Sequence, residues 1–139
     1  MRKTVVVVLS VLTLALPVAD AVAAVTAKPK VVVTTRRFVG TAAEAGRWGP
    51  LQVSITVRKT KTTVGRKVTV RRRIVAVSVP LSPNHTDRSI FINEQALPYL
   101  KQETLTAQNT NIQLVSGATD SSYAFQQSLQ AAILTARKA

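Results

Sequence analysis

The sequence predicts an α+β fold: a small, mainly antiparallel sheet covered by two helices, after a cleaved N-terminal signal peptide. Three observations carry this. Extended segments come first and helical ones follow without strict alternation, which is the order of an α+β domain rather than of βαβ units. Leu51, Val53, Ile55 and Val57 alternate with Gln52, Ser54, Thr56 and Arg58, the period of a half-buried strand. From Asp120 to Arg137 apolar positions recur at three- and four-residue steps, the period of an amphipathic helix.

Taken in order, Arg2 and Lys3 precede an apolar run from Val5 to Leu16, and Ala21-Val22-Ala23 supplies a small-x-small cleavage site. Residues 1–23 therefore read as a secretory signal peptide, and the chain is expected to act outside the cytoplasm, secreted or associated with membrane or wall. A retained anchor is the alternative, but Pro17 and Asp20 interrupt the run before the ~20 residues that a span needs. Residues 24–45 are a linker and a first strand, the β-branched stretch Val31 to Val39. Residues 46–139 form the remaining domain. Gly40 to Pro50 is loop, and Leu51 to Arg58 the alternating strand. Val68 to Val79 is a second extended segment whose phase is disturbed by Arg71-Arg72-Arg73, so that a bulge or a division into two short strands is expected. Between the two lies a long basic tip, Lys59 to Lys67, with Gly65 as its turn residue.

Asp87 or Ser89 can cap a helix through Ile92, Ala96, Leu97 and Leu100, with a break expected at Pro98. Thr110 to Val115 reads as a short extended piece, Ser116 to Thr119 as a turn, and Asp120 to Arg137 as a helix with Tyr123, Leu129, Ala132, Ile133 and Ala136 on its apolar face.

Composition excludes much chemistry. The 139 residues contain no Cys and one His, which removes disulfides, thiolate metal sites, Fe–S clusters, cysteine nucleophiles and two-His metal sites. No metal site and no catalytic side-chain constellation is expected. His85 lies in a turn-like stretch, and no Gly-x-Ser-x-Gly elbow accompanies it, so a Ser-His-Asp hydrolase is disfavoured. With 19 Lys and Arg against 6 Asp and Glu the formal charge is +13, which attracts anions. Eight of these cations lie between Arg58 and Arg73 with no acid among them. The run reads either as a solvated edge that blocks strand pairing or as a surface that docks on anionic membrane or cell-wall polymer. Nucleic acid is not the expected partner, because no aromatics for base stacking interleave with the charges.

Ser116-Gly117-Ala118-Thr119 is the segment most suited to chemistry. An extended lead, a glycine turn and a helix start leave backbone N–H groups unpaired and directed at whatever lies ahead of them. The hydroxyls of Ser116, Thr119, Ser121 and Ser122 cluster there, so a phosphate could be held by main chain and side chain together. A plain helix cap by Ser116 or Thr119 accounts for the same residues.

Residues 107–132, AQNTNIQLVSGATDSSYAFQQSLQAA, resemble the closing motif of the bacterial FMN-binding domain family, in which a short apolar lead, Ser-Gly-Ala-Thr and a Ser/Thr-rich helix start recur together. Trp48-Gly49-Pro50-Leu51-Gln52-Val53 resembles that family's opening strand, Arg73 to Val79 its return strand, and Arg88 to Gln108 the helix before the motif. The family includes the flavin subunits of Rnf-type and sodium-pumping NADH:quinone oxidoreductase complexes, and this chain is most similar to its small exported members.

The resemblance implies FMN at Ser116, Gly117, Ala118, Thr119, Ser121 and Ser122. It also implies that a flavin transferase joins the flavin phosphate to Thr119 as a phosphoester, and that the protein is an electron carrier meeting a membrane or extracytoplasmic redox partner. Two positions depart from the family: Gln113 stands where Asp is usual three residues before the Ser, and Asp120-Ser121-Ser122 follows the Thr. Trp48 and Tyr123 are candidates to stack on a flavin. A flavin-free, basic binding module of the same fold is the alternative.

Overall fold

A computed structural model describes residues 27–139, so the signal-peptide reading of residues 1–23 lies outside the described residues. Within 27–139 the elements are β1 (Lys30–Val39), β2 (Ala43–Glu44), a short 3-10 turn (Gly46–Trp48), β3 (Pro50–Val64), β4 (Lys67–Leu81), α1 (Asp87–Ala107) and α2 (Thr119–Lys138). The fold is α+β, with a four-stranded antiparallel sheet and two helices. The chain divides into two compact units: residues 33–60 with 71–139, and a smaller one holding 61–70 and the described residues up to 32.

In the larger unit β3 is the common partner, paired by β1, β2 and β4. β2 runs antiparallel to it with Ala43 opposite Leu51 and Glu44 opposite Pro50. The predicted apolar face is buried, with Leu51, Val53, Ile55 and Val57 in one cluster with Ile74, Leu100, Ile112, Phe125 and Leu129. The other face is not left to water: Ser54 is buried too, its hydroxyl accepting from Arg37 Nε, and Gln52 and Thr56 are half-buried. Helix α2 lies directly on this sheet. The Val53 N–H donates to Ser128 Oγ at 2.8 Å, and Gly40 approaches so closely that a Cβ there would lie 1.9 Å from the Ser128 carbonyl oxygen. Only a residue without a side chain fits at that crossing.

Several expectations need correction. Of the two outcomes expected at the arginines, the division into two short strands does not occur: β4 is one continuous strand. Ile74 and Val77 both pack on the core although they are three positions apart, an odd step that strict alternation would put on opposite faces, so the phase changes without interrupting the strand. Residues 67–73 are exposed, and no buried face holds them in phase. The long basic tip is likewise absent. β3 runs to Val64, β4 starts at Lys67, and the turn in the smaller unit is Gly65-Arg66 alone. Gly65 has φ +58 while Arg66 keeps negative φ, the signs of a two-residue type II′ hairpin turn with glycine at its first central position.

Helix α1 is capped by Thr86, and Ser89 serves as the third residue of its capping box: Ser89 N–H donates to Thr86 Oγ1 at 3.1 Å and Thr86 N–H donates to Ser89 Oγ at 3.2 Å. It also runs through Pro98 without a break. Proline removes the N–H that would bond the Glu94 carbonyl, but Glu94 and Pro98 are both exposed, so water can take that bond. Thr110 to Val115 is not a strand. Side chains satisfy its backbone instead, with Gln126 Nε2 donating to the Ile112 carbonyl at 3.0 Å and the Asn111 N–H donating to Asn109 Oδ1 at 2.7 Å. On α2, Tyr123 is exposed, and Phe125, absent from the predicted apolar face, is fully buried.

Candidate functional site

The Ser116–Thr119 turn is fixed from beneath by serines. Ser122 is buried; its Oγ accepts the Val115 N–H at 3.1 Å and donates to the Ala118 carbonyl at 2.8 Å. Ser121 is buried as well, and its hydroxyl donates to Asn93 Oδ1 at 3.0 Å, while Asn93 Nδ2 donates to the Pro83 carbonyl at 2.8 Å. Asn93 thus ties the entry to α1 to the first turn of α2. The hydroxyls of Ser121 and Ser122 are committed inside the fold, and what they contribute to the turn is its shape.

Above this base the turn is open. Gly117 has φ +79, which disfavours any other residue, and a Cβ there would meet nothing within 4 Å. Ser116, Gly117 and Thr119 are exposed. The residue preceding α2 is Ala118, which has no side-chain oxygen to cap the helix. The Ser122 N–H is taken by the Ala118 carbonyl at 2.9 Å, leaving the N–H groups of Thr119, Asp120 and Ser121 as the donors at the helix start. Neither Ser116 nor Thr119 caps the helix, so the plain cap reading does not describe this turn.

Two pockets flank the turn. One of about 210 Å³ is lined by Trp48, Arg88, Ile92 and Gly117 to Ser121. The other, of about 300 Å³, is lined by Arg88, Phe91, Ile92, Gln95 and Ala96 on α1 and by Val115 to Ala118. Arg88, Ile92, Gly117 and Ala118 belong to both, so the pockets are two lobes around one turn. Together they reach the size of ordinary small-molecule sites, about 300–1,000 Å³. Arg88 supplies a fixed positive charge where an anion would meet the amides of the helix start.

Asp120 lines the smaller lobe, and its carboxylate leans on the 3-10 turn, with Oδ2 3.0 Å from where a Gly46 Cβ would lie. Of the two predicted stacking aromatics, Trp48 lines the smaller lobe beneath the Arg47 guanidinium, which sits 4.7 Å from its ring centroid. Tyr123 lines neither lobe. Arg88 and Phe91 were missed from sequence. Their signal was the spacing Arg88, Phe91, Ile92, Gln95, which marks a single helical face. His85 is exposed beside Gly49 and lines neither lobe.

An uncapped helix start behind an open glycine turn, flanked by two lobes with a shared arginine and with aromatic rings in their walls, defines a site for a phosphate-bearing aromatic cofactor. A family model for the FMN-binding domain matches residues 46–134, and the chain belongs to that family. It is a flavoprotein, and FMN is its cofactor. No curated protein matches the chain. The donor set fits the group: the amides at 119–121 and Arg88 suit the phosphate, while Trp48, Phe91 and Ile92 offer apolar surface to the ring.

Proposed function

We propose that the protein is an exported electron-transfer domain that carries FMN on the Ser116–Thr119 turn, with the flavin phosphate esterified to Thr119 Oγ. When bound, FMN supplies redox chemistry that none of the chain's side chains can perform. The protein's own part is to hold the phosphate, exclude water from one side of the ring and set the local charge.

The observation that carries the reading is the position of Thr119. It is the first residue of an uncapped helix, exposed, and in the wall of the smaller lobe. A tether there makes shallow lobes sufficient, because a covalent link supplies roughly millimolar effective concentration. In the transfer, Thr119 Oγ forms a bond to phosphorus, the bond from phosphorus to the donor's leaving group breaks, and the hydroxyl proton passes to solvent or enzyme base. The donor is an activated flavin phosphate handled by a flavin transferase. Gln113 is exposed and lines neither lobe, so its difference from the family's usual Asp bears on the transferase rather than on the bound flavin.

Co-expression with a flavin transferase should give yellow protein whose flavin fluorescence survives a denaturing gel and whose intact mass exceeds the polypeptide's by one FMN group. Thr119→Ala should abolish the retained flavin. Labelling that persists in this variant would overturn the assignment, and Gln113→Asp should raise the labelled fraction if the transferase reads that position. An electron-transfer role further requires that the flavin bleach with a reductant and recover with an oxidant over repeated cycles.

A second surface accompanies this reading. In the smaller unit Lys61, Arg66 and Lys67 stand beside exposed Val64, Val68 and Val70, with no acid among residues 61–70. Cations beside bare apolar side chains suit docking of the hairpin on an anionic membrane or wall polymer, which would hold the carrier near a membrane redox partner.

A further inference from the structure

The C-terminal end of α2 holds a second cavity that the flavin reading does not use. It measures about 280 Å³ and shares no lining residue with the lobes at the Thr119 turn. Ile133, in its wall, is fourteen residues beyond Thr119 on one helix, about 20 Å at 1.5 Å per residue.

The cavity is amphipathic. Its floor is apolar, with Ile55 and Ile74 from the sheet and Ala136 from α2 all buried. Its rim carries Arg72, Arg73 and Arg137, all exposed, and no carboxylate. Arg72 and Arg73 both line the cavity beside Ile74, and helical spacing puts Arg137 on the side of Ile133. The remaining polar wall is closed to a ligand. Gln108 spends its side-chain amide on the backbone of Ile74 and on the Leu105 carbonyl. One effect opposes an anion here, because the C-terminal end of a helix carries roughly half a negative charge. The three guanidiniums on the rim outweigh it.

Neither half of the cavity is explained by the other. Free phosphate would use the arginines and leave the space over the apolar floor unfilled, whereas an uncharged hydrocarbon would fill it and gain nothing from the rim. We propose that this cavity binds a single-chain lipid anion, with the chain on Ile55, Ile74 and Ile133 and the carboxylate or phosphate head between Arg72 and Arg137. The proposal does not depend on how the flavin is held.

The test uses methyl-labelled protein observed by NMR and titrated below micelle concentrations with dodecanoate, dodecyl phosphate, dodecyltrimethylammonium and inorganic phosphate. One or both of the anionic amphiphiles should shift the Ile55, Ile74 and Ile133 methyls saturably at sub-millimolar concentration. Whichever binds more tightly identifies the head group. Dodecyltrimethylammonium and inorganic phosphate should leave these methyls unmoved. Arg72→Gln combined with Arg137→Gln should weaken binding about tenfold or more, as expected for loss of charge-assisted hydrogen bonds, with flavin content and the remaining spectrum unchanged. Equal binding of the cationic amphiphile, absence of a saturable shift, or undiminished affinity in the double variant would each overturn the proposal.

Discussion

The side-chain amide of Gln108 grips both backbone groups of Ile74: Oε1 accepts its N–H at 2.7 Å and Nε2 donates to its carbonyl at 3.0 Å. Among the described residues β4 pairs only with β3, so this amide takes the place of a further strand at the point where Ile74 enters the core. The same residue ends α1 with φ 59, and its own N–H returns to the Thr104 carbonyl at 2.8 Å. One side chain therefore joins the exit of a helix to the outer edge of the sheet.

Gln108→Ala should destabilise the protein by about 2 kcal/mol, since it removes three side-chain hydrogen bonds and leaves two buried backbone groups of Ile74 unpartnered. Denaturant unfolding of the variant measures this directly. A midpoint indistinguishable from the parent would show that water replaces the amide without loss.

The Gly40–Ser128 crossing makes a sharper prediction. Gly40→Ala places a methyl group 1.9 Å from a backbone oxygen that no rotamer change can move, so strand and helix must separate. The expected loss is at least about 3 kcal/mol. Ser128→Ala does the reverse: it leaves space but orphans the buried Val53 N–H, at a cost of about 1–3 kcal/mol. A tolerated Gly40→Ala, judged from thermal unfolding, would mean that this crossing is looser than its geometry indicates.

How far the sequence revealed this arrangement depends on the kind of signal each element carries. The alternation in β3 was legible because a half-buried strand must repeat at period two. The buried side of α2 was only partly legible. Its inward positions include Ser121, Ser122 and Ser128, whose hydroxyls are satisfied locally or by Val53, and a hydropathy pattern discounts such residues. Phe125, Leu129, Ala132 and Ala136 follow one helical face, but Tyr123 falls outside it. The Ser116–Thr119 turn was legible as a motif. Arg88 and Phe91 reach it through the fold of α1: their spacing marks one helical face, but nothing in the sequence says that this face meets the turn.

Charge around the turn should tune FMN affinity in opposite directions. Arg88→Gln removes the cation shared by both lobes and should weaken binding of FMN to flavin-free protein by about tenfold, the scale of one charge-assisted contact. Asp120→Asn removes a carboxylate from the lobe that holds Thr119 and should strengthen binding several-fold, as loss of a like charge does. Fluorescence quenching on titration with FMN separates the two. Riboflavin, which lacks the phosphate, should show neither effect, and an equal response to riboflavin would mean that these residues act on the ring.

The hairpin in the smaller unit should bind anionic surfaces by a combination of charge and apolar contact, and salt separates the two contributions. At about 0.15 M salt the Debye length is near 8 Å, so the Coulombic part should fall steeply between low and physiological ionic strength while burial of Val64, Val68 and Val70 persists. Replacing Lys61, Arg66 and Lys67 with Gln should therefore remove most association with phosphatidylglycerol-containing vesicles at low salt and flatten its salt dependence, with flavin content unaffected. Val68→Ser should weaken binding at every salt concentration without changing the slope. Co-sedimentation across a salt series reads both quantities. Binding to uncharged vesicles as strong as to anionic ones would assign the surface to apolar contact alone, and loss of flavin in the charge variant would place these cations at the cofactor.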